Sequence, residues 1–161
     1  MSQDVKLFHQ CDHFTGGRQY TIEHCPKCLS KGYYYDISFD ATGKAVTVGG
    51  TIKLQQEVLK AMHDIRGDNI FFPNYGSGIH DFIGRKATVT DTMKMDYDLR
   101  RTLEYLRQLQ NLAARTYGNM SDDEVIKDVD SVDIQRFLTG YAVSVKFSNV
   151  SNETYDQQIE L

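Results

Sequence analysis

The segment from residue 67 to residue 79 constrains this chain more than any other, because it combines conformational breakers with large apolar side chains. It reads Gly-Asp-Asn-Ile-Phe-Phe-Pro-Asn-Tyr-Gly-Ser-Gly-Ile. The glycines and the proline exclude a long regular helix or strand, so the segment is predicted to be a loop. Exposing Phe71, Phe72 and Tyr75 together would be costly, so we expect the loop to fold back and pack its own side chains.

Two amphipathic helices are predicted, one on each side of this loop. Thr51 can cap the first helix, and Gly67 is expected to lie just past its end. The apolar face of the first helix consists of Leu54, Val58, Met62 and Ile65. The second helix spans residues 99–113 and ends at Gly118. Its apolar face consists of Leu99, Leu103, Leu106, Leu109 or Gln110, and Ala113.

Alternating apolar residues predict strands before and after this pair of helices. Residues 33–39 predict a strand, residues 40–43 a turn, and residues 45–48 a short partner strand. Three later groups alternate in the same way: Val132 and Ile134; Tyr141, Val143, Val145 and Phe147; Tyr155, Ile159 and Leu161. The last group is also rich in polar residues, which is typical of a strand at the edge of a sheet.

The spacing of Ser121 and Glu124 is that of a capping box. It predicts a short helix that carries Val125, Ile126 and Val129. Together these elements predict an α+β domain over residues 33–161, in which two main helices pack on one face of a mixed, mainly antiparallel sheet.

Length, composition and charge exclude several classes of protein. The 161 residues are 40% apolar and 25% charged, which is typical of one soluble domain with at most a small appendage. The net charge of −4 disfavours a nucleic-acid binder, including a zinc-ribbon adaptor. No apolar run could span a membrane, and the first residues lack the apolar core of a secretory signal. We therefore expect a reducing cytoplasm and cysteines that are thiols or metal ligands.

The strongest ligand pattern lies in the first 32 residues. A Cys-Pro-x-Cys turn points two thiolates at one centre, and a Cys-x-His pair upstream can complete a tetrahedral Zn²⁺ site. The predicted ligands are Cys11, His13, Cys25 and Cys28. His9 or His24 could replace His13, and three free thiols are the alternative. Because so small a polar segment has little core, the metal would supply its folding energy, and we expect residues 1–32 to form a zinc-binding arm.

A glycosidase would need two carboxyl groups across a cleft, one of them with a raised pKa. Glu57, Asp64 and Asp68 lie near the aromatic loop in sequence, and two of them could be the catalytic carboxyl groups. Charged residues on a helix with an apolar stripe are usually its solvated face, and the chain has no tryptophan to stack on a sugar. No nucleophile elbow, phosphate loop or dinucleotide motif is present. The sequence therefore predicts a protein that is not an enzyme.

Several weak motifs occur in an order that resembles one known family. The pattern consists of a strand with an aspartate, a glycine turn, a glutamine-bearing helix, a glycine stop, a Pro-x-Tyr-Gly loop, a long helix, an Asp-Glu segment and paired strands. These elements are Asp36, Gly43, Gln55 or Gln56, Gly67, Pro73 to Gly76, Leu99 to Leu112, Asp123 to Ile126, and Val143 to Phe147. In this order they resemble the baseplate wedge family of contractile phage tails, often called lysozyme-like, and its relative in type VI secretion baseplates.

This resemblance implies a structural part in a virion tail baseplate, assembled in the host bacterial cytoplasm. It also implies that the chain binds other wedge proteins and the tail sheath protein, and that it initiates sheath assembly by strand exchange at an open sheet edge. The expected partner-binding residues are Phe72 and Tyr75 in the loop and Tyr155 and Ile159 in the last strand. Many members of the family carry Glu-Pro-Arg before the last strands, whereas this chain has prolines only at 26 and 73.

Overall fold

The computed structural model describes residues 4–5, 8–9, 19–20, 33–34, 42, 44–45, 47–84, 88–118, 120–137 and 140–160. In chain order the strands and helices are β1 (Asp4–Val5), β2 (Phe8–His9), β3 (Gln19–Tyr20), β4 (Tyr33–Tyr34), β5 (Thr47–Val48), α1 (Gly50–His63), α2 (Val89–Tyr117), β6 (Ile126–Arg136), β7 (Tyr141–Asn149) and β8 (Thr154–Glu160). Two short 3₁₀ turns, Ile79–Phe82 and Asp122–Glu124, precede α2 and β6.

The first helix buries the predicted apolar face but begins and ends differently. Leu54, Val58 and Met62 are completely buried. The predicted cap at Thr51 is wrong, because α1 already begins at Gly50. The carboxylate of Glu124, which is distant in sequence, acts as the cap: the Gly50 N–H donates to Glu124 Oε1 at 2.9 Å. The helix ends at His63, so Ile65 lies beyond it and is exposed.

The second helix is longer than predicted. It begins at Val89, where Thr88 and Asp91 form a capping box: the Asp91 N–H donates to Thr88 Oγ1 at 3.2 Å, and the Thr88 N–H donates to Asp91 Oδ2 at 3.1 Å. The predicted stop at Gly118 is confirmed, with a left-handed φ of 61°. Its buried residues include Leu99, Leu103, Leu106 and Gln110. Neither helix in the described part of the chain combines the length and hydrophobicity that crossing a bilayer requires.

The short helix predicted after Ser121 is wrong. No described side chain caps the Asp122–Glu124 turn, and the chain enters β6 at Ile126. Val125 and Ile126, which were assigned to that helix, are β-branched and fit a pleated surface. Pairing with β7 from Ile126↔Asn149 to Arg136↔Tyr141 holds this segment extended, so a tertiary partner overrides the local helix signal.

The last two strands follow the predicted alternation. Tyr141, Val143, Val145 and Phe147 are all buried in β7. Antiparallel pairing sets Val143 opposite Ile159, Val145 opposite Gln157 and Phe147 opposite Tyr155, so one face of this hairpin belongs to the core. Helices α1 and α2 supply the other side of that core. The mixed α+β architecture, with two helices and three long antiparallel strands, is therefore confirmed.

The predicted place of β8 at the edge of the sheet is wrong. The strand order is β3-β8-β7-β6, so the outer side of β8 pairs in parallel with Gln19–Tyr20. Among the described strands, the long strand without a neighbour on its outer side is β6. Deleting residues 154–161 would remove Tyr155, Gln157 and Ile159 from the core, so the truncated chain is not expected to fold.

The short early strands pair with segments distant in sequence. β1 pairs with β5, and β2 pairs with β4. The hairpin predicted between residues 33–39 and 45–48 is therefore wrong at its described positions, Tyr33–Tyr34 and Thr47–Val48, because each of them is paired with a segment from the first nine residues. Most of the 33–39 strand lies outside the described residues, and the division of the chain at residue 32 stays a prediction.

Candidate functional site

The aromatic loop between α1 and α2 exposes side chains that were expected to be buried. Ile70, Phe71 and Phe72, here called the apolar tip, are 82%, 81% and 45% exposed. Tyr75 is half-buried and packs against the core. The prediction that the loop packs its own aromatic side chains is therefore wrong for the tip. The exposure of the tip favours the alternative, in which these side chains form a surface that binds a partner. Contiguous exposed apolar residues on a soluble domain usually mark an interaction site.

Local hydrogen bonds explain how the tip can be ordered without packing. Asn69 Oδ1 accepts from the Phe71 N–H at 3.0 Å and the Phe72 N–H at 3.1 Å. The Tyr75 N–H donates to the Phe72 carbonyl at 2.9 Å, which closes a turn around Pro73. These bonds fix the backbone at Phe71 and Phe72 without any apolar neighbour for their side chains.

The base of the loop is anchored to α2 by a partly buried ion pair. Arg66 Nη1 lies 2.5 Å from Asp98 Oδ1, and the two side chains are 21% and 16% exposed. Arg66 Nη2 also donates to Thr102 Oγ1 at 2.8 Å. On the other side of the loop, the Gly78 N–H donates to Asp98 Oδ2 at 2.6 Å. Asp98 therefore holds both ends of the loop. Charge-assisted hydrogen bonds of this kind are stronger than hydrogen bonds between neutral groups.

A second set of bonds joins the loop to the end of α1. Ser77 is completely buried, its Oγ donates to the Met62 carbonyl at 2.5 Å, and its N–H donates to the Asp64 carbonyl at 2.8 Å. Gly76 has a φ of 94°, and a Cβ there would lie 2.5 Å from the Asp64 carbonyl oxygen. Only glycine fits this close backbone approach.

Histidines and an aspartate lie where the loop leaves α1. His80 Nε2 lies 2.5 Å from the carbonyl oxygen of His63, which can only accept, so Nε2 carries the proton. Burial, and then the neighbouring His80, lower the pKa of His63. Burial raises the pKa of Asp64, against the opposing effect of Lys60. The described residues contain no group of histidine, cysteine, aspartate and glutamate side chains placed to hold a metal ion.

Exposed charged and apolar residues also lie near the tip in sequence. Asp68 is exposed two residues before the tip, and Ile65, at the base of the loop, is exposed as well. This distribution does not suit insertion into an anionic membrane surface, which attracts clusters of lysine and arginine. An apolar centre with a polar rim is the arrangement typical of protein–protein contacts.

A cavity of about 400 Å³ lies between α1 and α2, next to the loop; it is here called the helix groove. Its apolar lining is formed by Tyr75, Leu106, Leu109, Ala113, Tyr117 and Met120. Glu57 also faces it, but Gln110 Nε2 donates to that carboxylate at 2.7 Å and Lys53 Nζ lies 3.3 Å from it. Lys53 also pairs with the buried Glu124 at 3.7 Å, so these carboxylates belong to a structural network.

The carboxylates considered for glycoside hydrolysis are not gathered in one cleft. Glu57 lines the helix groove, whereas Asp64 lies at the end of α1 and Asp68 in the loop, and neither aspartate lines that groove. A glycosidase pair needs both carboxyl groups on opposite sides of one substrate.

The predicted site residues fall into three groups. Phe72 and Tyr75 belong to the loop, and Phe72 is accessible. Tyr155 and Ile159 are buried in the core, so their side chains are not accessible to a partner at β8. The proposed zinc ligands Cys11, His13, Cys25 and Cys28, with His9's side chain and His24, lie outside the described part of the chain.

Sequence reasoning missed the residues that anchor the loop. Asp98 and Thr102 are four residues apart on α2, and Thr102 is buried on the same helix as Leu99 and Leu103. A polar pair on the apolar side of a predicted helix is a signal that could have been recognised. Its partner Arg66, 32 residues upstream of Asp98, could not have been identified from spacing.

Comparison with known proteins identifies the fold alone. No protein-family model and no curated protein matches the chain. A solved structure of a candidate tail lysozyme from Geobacter sulfurreducens matches with a TM-score of 0.50 at 13% sequence identity. The match covers 68% of this chain and 86% of that chain. The chain therefore shares the fold of that protein over the matched part, and membership of the baseplate wedge family stays a prediction.

Proposed function

We propose that this chain is a structural component of a contractile tail baseplate, located in the virion and assembled in the host bacterial cytoplasm. It joins neighbouring wedge proteins through non-covalent contacts and has no catalytic role of its own. The observation that supports this function best is the apolar tip, which is exposed although its base is held by an ion pair and several hydrogen bonds.

An anchored apolar tip suits binding for a thermodynamic reason. A loop that is already ordered loses less conformational freedom when it binds, so more of the interaction energy appears as affinity. Large aromatic side chains also dominate the energies of protein interfaces. Phe71 and Phe72 would therefore be the main contacts with a neighbouring wedge protein, while Arg66 and Asp98 would position them.

The match to a candidate tail lysozyme supports a place in a tail, but the alternative of a peptidoglycan glycosidase gains no specific support from the site. Glu57 is held between Lys53 and Gln110, and the candidate aspartates are elsewhere. Purified protein is expected to release no sugar from purified peptidoglycan. Turnover above the buffer control that is lost in Glu57→Gln would support the glycosidase instead.

Sheath initiation by strand exchange is the second part of this proposal. The expected docking strand, β8, is already paired on its outer side at Gln19–Tyr20, so a sheath strand would have to displace those two residues. The outer side of β6 requires no displacement of a described strand. Two irregularities in the β6–β7 register and several charged side chains lie along β6, and both features protect an edge from indiscriminate pairing.

The binding role of the loop can be tested in particles. Contractile tails are purified from cells that express a tagged copy of the chain, and electron microscopy locates the tag, which is expected at the tube-proximal end of the baseplate. The double variant Phe71→Ser/Phe72→Ser should stay folded but be absent from the particles. Phe137→Ser is the matched control, because Phe137 is 55% exposed in a different part of the chain. Normal incorporation of the double variant would refute the role of the tip.

We also propose that residues 1–32 bind one Zn²⁺ through Cys11, His13, Cys25 and Cys28. Elemental analysis of protein purified without chelator should find close to one zinc ion per chain. If His13→Ala retains the metal, His9 or His24 is the fourth ligand. A content near zero, together with three freely reactive thiols, would rule out this site.

A further inference from the structure

The outer side of β6 has a short regular part that can accept another strand. Both irregularities in the pairing of β6 with β7 lie before Ser131, whereas every residue from Ser131 to Arg136 has one partner in β7. In the irregular part, Arg107 Nη1 of α2 donates to the Lys127 carbonyl at 2.9 Å and so covers the backbone there. Along the regular part, backbone N–H and C=O groups point away from β7 at alternate positions and can bond to an added strand.

The apolar side of β6 is covered less completely than the apolar side of β7. Val132 and Ile134 lie opposite Val145 and Val143 and pack against the core. The two valines of β7 are completely buried, but Val132 and Ile134 are only half-buried. A strand beside β6 would bring its own side chains within about 5 Å of them. Apolar side chains at those positions would therefore extend the core by one strand.

The charged side chains in the middle of β6 are all acidic. Asp128, Asp130 and Asp133 are exposed, and no lysine or arginine occurs between Asp128 and Gln135. Within the described part of the chain only Asp128 has a cationic partner, since Arg107 Nη1 lies 3.9 Å from its Oδ1. Asp133 accepts a hydrogen bond from Gln135 Nε2 at 3.4 Å, which does not neutralise its charge.

Apolar and acidic positions therefore alternate along the regular part of this edge. Asp133 lies between Val132 and Ile134 and belongs to the opposite face of the sheet. We infer that the outer side of β6 binds a partner strand of about six residues in which apolar and basic side chains alternate. This inference rests on the proposed function, because it specifies the chemistry of the strand that a neighbouring tail protein would contribute.

The same charges disfavour a second copy of β6 as the partner. If two copies paired with their apolar faces on one side, their Asp133 carboxylates would share the other face and lie opposite or diagonally opposite each other, which is destabilising. Lys146, the one basic residue of β7, lies between Ser131 and Asp156, so a carboxylate of β8 already faces it. A basic strand is therefore the partner that the charges favour.

Binding of synthetic peptides to the purified full chain tests this inference. The probe is a six-residue peptide in which lysine and valine alternate, and the matched control peptide has three lysines followed by three valines. Calorimetry should give a Kd below about 1 mM for the alternating peptide and no binding of the control at that concentration. In the complex, hydrogen exchange should show protection of alternate amides between Ser131 and Arg136, because those N–H groups gain a backbone partner.

Charge reversal tests the acidic face. Asp133→Lys should weaken binding of the alternating peptide about three- to tenfold and should strengthen binding of a peptide in which glutamate replaces lysine. Asp68→Lys is the matched control, because it makes the same change of net charge at an exposed position in the loop between α1 and α2. This control should bind the alternating peptide like the wild type. Equal weakening in both variants would show general attraction between a basic peptide and an acidic chain, and would overturn the inference.

A second pair of variants tests the apolar face. Val132→Thr keeps the shape of the side chain but adds a hydroxyl group, and it should weaken binding of the alternating peptide about threefold. Val150→Thr is the control, since Val150 is 41% exposed and lies outside β6. Circular dichroism checks that each variant is folded. Identical binding by the wild type and Val132→Thr would contradict an apolar contact at this position.

The remaining outcomes separate this inference from the proposed function. Absence of binding up to about 1 mM, equal binding of the control peptide, or protection confined to β8 would each overturn the inference. The proposed function stands in those cases if the variant Phe71→Ser/Phe72→Ser is still lost from tail particles. A chain that binds the alternating peptide at β6 but is absent from contractile tails would support the inference and overturn the proposed function.

Discussion

The loop between the helices and the hairpin of β7 and β8 both contain aromatic residues, but they use them in opposite ways. In the hairpin, Phe147 and Tyr155 face each other with ring centroids 5.5 Å apart, and both are buried. In the loop, Phe71 and Phe72 are exposed. The hairpin is held by apolar packing with its backbone paired along the ladder, whereas the loop is held by polar bonds at its base.

This difference shows that the apolar character of a side chain does not by itself decide whether that side chain is buried. In a strand, the period of two forces every second residue to one face, and the helices cover that face. In the loop, the directions of the side chains follow from hydrogen bonds made by Asn69, Arg66 and Ser77. The hairpin should therefore be sensitive to loss of apolar volume, and the loop to loss of its polar anchors.

The largest effect on the free energy of unfolding is expected when a phenylalanine of the hairpin, and not one of the loop, is replaced by alanine. Phe147→Ala should lower the free energy of unfolding by about 3–5 kcal/mol, because it opens a cavity in the core. Phe71→Ala should change it by less than about 0.5 kcal/mol, since that side chain is exposed. Urea unfolding followed by circular dichroism measures both values. A comparable loss in Phe71→Ala would show that the tip is packed in solution.

The next effect concerns the anchor of the loop. Asp98→Ala removes the partner of Arg66 and of the Gly78 N–H, and should cost about 2–3 kcal/mol. Asp96→Ala is the matched control on the same helix, because its pair with Arg100 is 45% and 40% exposed and should contribute less than about 1 kcal/mol. Hydrogen exchange should show faster exchange of loop amides in Asp98→Ala alone. Equal effects of the two substitutions would contradict the anchoring role.

A smaller effect is expected inside the sheet, where one polar residue contradicts the apolar pattern. Gln157 is completely buried, and neither of its amide atoms has a hydrogen-bond partner among the residues that the structure describes. Gln157→Met should therefore raise the free energy of unfolding by about 1 kcal/mol. Gln110→Met should lower it by about 1–2 kcal/mol, because Gln110 is equally buried but bonds to Glu57 and to the Ile126 N–H. If Gln157→Met destabilises the protein, the amide of Gln157 makes a bond in solution.

The smallest effect is a dependence on pH at the base of the loop. Burial lowers the pKa of His63 below its ordinary value of 6.5, so the unfolded chain binds a proton more readily than the folded chain. The contribution of His63 to stability is therefore present above pH 6.5 and is lost as the pH falls below it. The raised pKa of Asp64 acts in the opposite direction, since its burial favours folding most strongly below its ordinary pKa of 3.8.

Unfolding midpoints measured between pH 8 and pH 5 should fall less in His63→Gln than in the wild type. His80→Gln is the comparison variant, because it removes the second histidine and its bond to the His63 carbonyl. If the wild type and His63→Gln respond identically to pH, His63 is not desolvated in solution.

Much of the fold could be predicted where the pattern is long and regular. The apolar stripe of α2, its stop at Gly118 and the alternation of β7 follow from local sequence. The beginning of α2 at Thr88 was missed although Thr88 and Asp91 have capping-box spacing. The short segment after Ser121 was misassigned, because the pairing of β6 with β7 outweighs the local helix signal of a capping box between residues three positions apart.

The candidate site was only partly accessible from the sequence. The pattern of glycine, proline and aromatic residues located the loop and named Phe72 and Tyr75. It did not reveal that Asp98 holds both ends of the loop or that Asn69 directs the tip outwards. These bonds join residues that are up to 32 positions apart, and no periodicity specifies such pairs.

By itself, the sequence determined which faces of α1, α2, β7 and β8 are apolar, because helical and strand periods act over a few residues. Only the tertiary structure decided which elements meet. Glu124 reaches the amino-terminal end of α1 from 74 residues away, and Gln19–Tyr20 lies along β8. Backbone and carboxylate groups bond to whatever suitable partner the fold brings within about 3 Å, so these choices depend on the packing of the whole domain and not on any local pattern.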